Sequence, residues 1–298
     1  MHLVLEANSR RKNLSLHAIM NTTSAMEPQP GYAVIYGCII ALGLPLNAVS
    51  LVVLLHRHSL KSSTVVFMIN LIISDLLLII SLPMRVYFYA TGTWPLSQMA
   101  CTFVTMLFRD NIRSSCIFIT FISMDRLVAV VYPLRSRHLR TLSKAWKAAA
   151  AIWLFLMLIN IPETLLFSEH NEKTCFEFKT PGSGSRGFSY FQLVLMFTTL
   201  TVNIVCTALV SWTLHRMTDS ARLKNKVNVM LLFAINLLMF IICFLPMTVA
   251  LLTIVDRPRI SPFICLASMN CCLDPLLYCF SLDAFWKKKE DVDHTRET

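Results

Sequence analysis

Seven segments of 22 to 33 mainly apolar residues follow one another along this 298-residue chain, joined by short polar connections. They are Ala33–Leu55, Val65–Tyr89, Met99–Val131, Trp146–Phe167, Phe188–Leu214, Val227–Val255 and Ile260–Leu282. A helix needs about 20 apolar residues to cross the hydrocarbon of a bilayer, and in lipid a lone segment satisfies its backbone only as a helix. The expected fold is therefore all-α: a bundle of seven membrane-spanning helices. Charged residues make up 15% of the chain, against about 25% in soluble domains. The seventh segment is the weakest, because Pro262, Asn270, Asp274 and Pro275 interrupt it. The expected division is an N-terminal tail over 1–32, the spans over 33–282, and a short cytoplasmic helix and tail over 283–298. In that last part Phe285-Trp286-Lys287-Lys288-Lys289 is apolar then basic, as expected of a short amphipathic eighth helix lying on the membrane.

Orientation follows from the cations, which concentrate on the cytoplasmic side of membrane proteins. With the N-terminus outside, the inner loops and tail hold 16 of the 27 Lys and Arg residues. The tail ahead of the first span carries two glycosylation sequons, at Asn13 and Asn21, which suit an extracellular segment. The expected location is the plasma membrane. The net charge of +10 is then largely cytoplasmic surface and needs no nucleic-acid partner.

The third span concentrates the polar chemistry. Cys101 and Asp125 are 24 residues apart, about 36 Å on a helix, so one rod carries a cysteine at one membrane surface and Asp125-Arg126 at the other. Arg109 falls about 12 Å below Cys101, with Arg113 about a turn deeper on the same face. Asp75 in span two lies at membrane depth, where ionisable residues are functional candidates. Of ten cysteines none forms a C-x-x-C pair, and most fall within apolar helix. Cys101 and Cys175 both fall at the outer face, where oxidation is favoured, and are expected to be joined.

Taken in order, Asn47, Leu71-x-x-x-Asp75, Cys101, Asp125-Arg126-Leu127, Trp153, Cys243-Phe244-Leu245-Pro246 and Asp274-Pro275-Leu276-Leu277-Tyr278 resemble the rhodopsin-like (class A) G-protein-coupled receptors. Leu82-Pro83, Phe244 and Asp274 resemble the purinergic and lysophospholipid branch. The runs Ser123–Arg137, Thr174-Cys175-Phe176-Glu177 and Asn270–Pro275 are most similar to the non-endothelial lysophosphatidic acid receptors. Three departures stand out: Leu127 replaces an aromatic, Thr199 stands where span five usually has proline, and that span lacks its usual tyrosine.

The resemblance implies a receptor that binds an extracellular anionic ligand, such as lysophosphatidic acid, and activates a heterotrimeric G protein. It implies that Arg126, held by Asp125 at rest, is released on activation, with Phe244, Pro246 and Tyr278 in the same switch. It also implies that Asn47, Asp75, Ser115, Asn270 and Asp274 converge on a hydrated pocket that holds a sodium ion or a shared proton; no other metal or cofactor is expected.

Arg85, Arg109, Arg113, Lys179 and Arg257 are the candidate ligand-binding residues, since forked guanidinium donors match the oxygens of phosphate and carboxylate. Two arrangements stay open: a cationic head-group pocket, or Arg109 and Arg113 paired internally with Asp110 or Glu163. A nucleotide or small carboxylate is the alternative ligand. A transporter would show inverted repeats or paired broken helices, and an enzyme a catalytic constellation; the sequence displays neither.

Overall fold

The computed structural model describes residues 27–57, 62–170, 175, 183–216, 223–253, 260–276 and 278. Helix α1 (Pro30–Arg57) begins on a proline, whose fixed φ and missing N–H suit a first turn. Helix α2 (Ser63–Thr91) ends at Gly92, whose φ of 71° lets its N–H return to the Phe88 carbonyl at 2.8 Å; that left-handed geometry favours glycine. Helix α3 (Gln98–Val131) is capped by Ser97, whose hydroxyl accepts from the Ala100 N–H at 3.3 Å. It stops at Tyr132, just ahead of Pro133, because proline disfavours helical backbone in the residue before it. That proline opens the short helix α4 (Pro133–Leu139). Helices α5 (Leu142–His170) and α6 (Ser183–Arg216) follow.

The sixth rod is built from α7 (Leu223–Met239), a π-helical turn (Phe240–Phe244) and α8 (Leu245–Thr253). Pro246 lacks an amide hydrogen, and the turn before it widens so that the Leu245 N–H bonds to the Phe240 carbonyl five residues back. Span five shows the opposite behaviour. Thr199, in place of proline, turns its hydroxyl back to the carbonyls of Leu195 and Met196 at 2.8 and 3.0 Å, and α6 runs on unbroken.

Among the described residues six helices are long and apolar enough to cross a membrane. The seventh segment differs from a single rod: α9 (Ser261–Ser268) ends in a turn at Met269 before helical backbone resumes through Leu276. Asn270 sits at that break, where its side chain bonds across to α3 instead of lying against lipid.

α2 and α3 form the centre, burying 78% and 56% of their most apolar windows, whereas α1 and α5 each bury 22%. Leu42, Val49, Leu154, Leu158, Ile161, Val194 and Ile204 are half or more exposed. Such a belt is costly in water and stable in lipid, so the ring of outer helices turns its apolar side chains to the membrane. Trp153 ties α5 to the centre by donating to the Asn70 amide oxygen at 2.9 Å and packing on Phe118. Gly43 lets α1 approach closely, since a Cβ there would lie 3.1 Å from the tip of Ile79.

Candidate functional site

Three clusters of buried polar groups lie at successive depths along α3. The first is at the end marked by the Cys101–Cys175 disulfide, whose Cα atoms are 5.6 Å apart, as the sequence led one to expect. Below it a cavity opens between α3, α6 and α8. Phe108, Ile112, Phe188, Met247 and Leu251 give it apolar walls, and Arg109, Arg113, Ser189, Gln192 and Thr248 supply polar groups.

Glu163 of α5 joins both arginines. One carboxylate oxygen accepts from Arg109 Nη1, and the other lies 2.7 Å from Arg113 Nη1. Arg113 also donates through Nε to the Gln192 side-chain oxygen at 3.1 Å. Of the two internal partners left open by the sequence, Glu163 is therefore the one used. Asp110 instead accepts from Asn160 at 2.5 Å. Arg85 does not line the cavity; it is buried with its guanidinium 4.7 Å from the ring centre of Phe108, which does. Lys179, Arg257, Asn13 and Asn21 lie outside the described residues.

At mid-depth Asp75 and Asp274 are fully buried with their carboxyl groups side by side. Asn111 donates to Asp75 at 2.9 Å and to Ser74 at 3.3 Å, while Ser74 and Ser114 share a hydrogen bond of 2.5 Å. Asn270 reaches Ser115 at 3.3 Å, and Asn47 donates to the Cys271 carbonyl at 2.6 Å. The five residues named from sequence, Asn47, Asp75, Ser115, Asn270 and Asp274, are all buried and Asn47, Asp75, Ser115 and Asn270 make separate hydrogen bonds, while Asn111, which donates to Asp75, was missed. Its signal was present: an amide at membrane depth, four residues ahead of Ser115, has to bond to something. Oxygens on Asn47, Asp75, Asn111, Asn270 and Asp274 have no hydrogen-bond donor in the network. Two adjacent carboxyls cannot both remain ionised without a shared proton or a cation, and an all-oxygen donor set suits a hard cation such as sodium.

At the opposite end Asp125 is hydrogen-bonded to groups on other elements. Arg140, just beyond α4, donates to its two oxygens at 2.9 and 2.8 Å, and Ser63 and Thr64 of α2 donate as well. Arg126 is half-buried beside this cluster. Deeper in, Asn203 of α6 donates to Thr120 and Asn236 of α7 to Ser123, each at 2.8 Å. These two asparagines tie α3 to α6 and to α7, the part of the sixth rod ahead of the π-helical turn, and sequence reading did not find them. Phe244 and Tyr278 are buried, Phe244 edge-on to Phe240 with ring centres 5.6 Å apart, and Pro246 follows in α8.

Residues 46–278 match the family described as "7 transmembrane receptor (rhodopsin family)". Mouse lysophosphatidic acid receptor 6 is 32% identical over 279 residues, covering 84% of this chain and 81% of the relative. Human lysophosphatidic acid receptor 4 is 30% identical, covering 95% and 83%. Cattle lysophosphatidic acid receptor 5 is 31% identical, covering 94% and 83%.

Proposed function

The chain belongs to the rhodopsin family of seven-transmembrane receptors, and from that premise we propose that it is a plasma-membrane receptor for an anionic lysophospholipid, with lysophosphatidic acid the first candidate, coupled to a heterotrimeric G protein. The observation that carries the reading is the cavity under the disulfide, where Arg109 and Arg113 stand beside apolar walls. A phosphate takes the forked donors, and an acyl chain lies among Phe108, Ile112, Phe188, Met247 and Leu251. Lys179 and Arg257 are the further cationic candidates in this proposal, and Arg85 stands behind Phe108, outside the cavity lining. The N-terminus lies outside, with Asn13 and Asn21 glycosylated, which agrees with the distribution of Lys and Arg.

Signal transfer in this reading runs along α3. Engagement of Arg109 and Arg113 biases the polar network at mid-depth and then the inner end, where Asp125 exchanges partners and Arg126 turns toward the G protein. Phe244, Pro246 and Tyr278 sit where the sixth and seventh rods would hinge. Leu134, 89% exposed next to half-exposed Tyr132, offers the G protein an apolar contact.

Asp75 and Asp274, with Asn47, Asn111, Ser115 and Asn270 around them, would hold a sodium ion. The ion supplies positive charge that stabilises the ionised carboxylate in the resting arrangement. Replacing sodium by a bulky organic cation should raise agonist affinity in the wild type, and Asp75→Asn should abolish that response. A variant that keeps the full sodium effect removes the ion from the proposal.

The functional test is a panel of lysophospholipids, nucleotides and small carboxylates applied to cells that report G-protein dissociation. Lysophosphatidic acid is expected to act most strongly. A response confined to nucleotides would overturn the assignment.

A further inference from the structure

We infer that Glu163 is the resident counter-ion of the ligand pocket: a tethered carboxylate that an incoming head group must displace, and which thereby limits the receptor to multiply charged anions. This rests on the reading of the cavity as the ligand site. Glu163 is 3% exposed and bridges two cations of the pocket wall, one oxygen to each. A phosphate seeks the same geometry: two or more oxygens spread across two forked donors. Among the described residues no acid lines the cavity itself, so the carboxylate sits behind the guanidiniums and not in the space a ligand enters. Asp110 accepts from Asn160 through one oxygen and adds its charge nearby, while Glu163 is in direct contact with both guanidiniums.

Displacement sets a threshold. A ligand with one negative charge exchanges one ion pair for another and gains nothing in Coulomb energy, while a tethered carboxylate has the entropic advantage. A phosphomonoester carries close to two charges near neutral pH and gains the difference in a setting where water screens little. Gln192 holds Nε of Arg113, so that guanidinium keeps its orientation when Glu163 leaves. On this account Glu163 sets the affinity threshold that every head group must exceed, the charge of the head group decides which ones exceed it, and the acyl chain is untouched.

The test uses the full chain purified in lipid nanodiscs, with 1-oleoyl lysophosphatidic acid as the doubly charged probe and oleate as the singly charged one. Glu163→Gln is expected to tighten both probes by a similar factor, about tenfold or more, bringing oleate from undetectable into the measurable range. Glu163→Asp keeps the charge but withdraws it by one methylene, and should tighten both by a smaller factor. That graded variant keeps the inference testable if Glu163→Gln fails to fold. Arg113→Met serves as the control for the site. If Arg113→Met weakens binding while neither Glu163 variant tightens it, Glu163 is a structural brace and the inference falls with the pocket intact. If none of the three changes binding, the pocket assignment falls and the inference with it.

Discussion

Arg113→Ala is expected to reduce the potency of lysophosphatidic acid by about 100-fold, the upper range for losing a hydrogen bond to a charged group. Arg113 is 1% exposed, on the inner wall of the cavity, and holds Glu163 and Gln192 at once. Its removal deletes a forked donor that a phosphate would use and leaves Gln192 without its partner. Arg113→Lys should fall between, because the charge remains but the fork is lost. The alanine variant should also lower the thermal stability of the unliganded receptor, since breaking a buried ion pair costs about 3–5 kcal/mol. Arg109 still holds Glu163, so the lower part of that range is expected. Measuring potency and unliganded melting together separates the two effects. Full potency in a destabilised variant would make Arg113 a structural residue and nothing more.

Cys101→Ser is expected to remove most of the receptor from the cell surface. The bridge to Cys175 closes a loop of 74 residues, which chain-entropy arguments value at about 4–5 kcal/mol. It also fixes residue 175 to the first turn of α3, directly above the cavity. Purified Cys101→Ser protein should melt well below the wild type and bind lysophosphatidic acid weakly. A variant with normal surface expression and normal affinity would show that the bridge positions nothing the ligand uses.

The rods were legible because membrane thickness sets a length scale that apolar runs record directly. The disulfide was legible because Cys101 and Cys175 both fall at the outer membrane surface, where oxidation is favoured. Pairings along α3 were harder to read, for a single geometric reason. Consecutive residues on a helix point about 100° apart and do not face each other. Asp125 accepts hydrogen bonds from Ser63, Thr64 and Arg140, while its charge also acts on neighbouring Arg126. Asp110 likewise turns from Arg109 to Asn160, leaving Glu163, 54 residues along the chain, to serve both arginines. Long-range partners of this kind carry no spacing signal. The asparagines at 203 and 236 illustrate the same limit: each was visible as a polar residue inside a span, but only the packing shows that both reach α3. The seventh span gave a clearer warning, since Asn270 marks the place where its helix breaks.

The central step runs from an anion in the arginine cavity to a changed inner end. The direct measurement is the rate of guanine-nucleotide exchange on a purified heterotrimeric G protein, catalysed by the receptor in nanodiscs. Lysophosphatidic acid should accelerate exchange by the wild type, while Arg109→Ala/Arg113→Ala protein, verified as folded, should need far more ligand or fail to respond. Acceleration that is undiminished in the double variant would contradict the account.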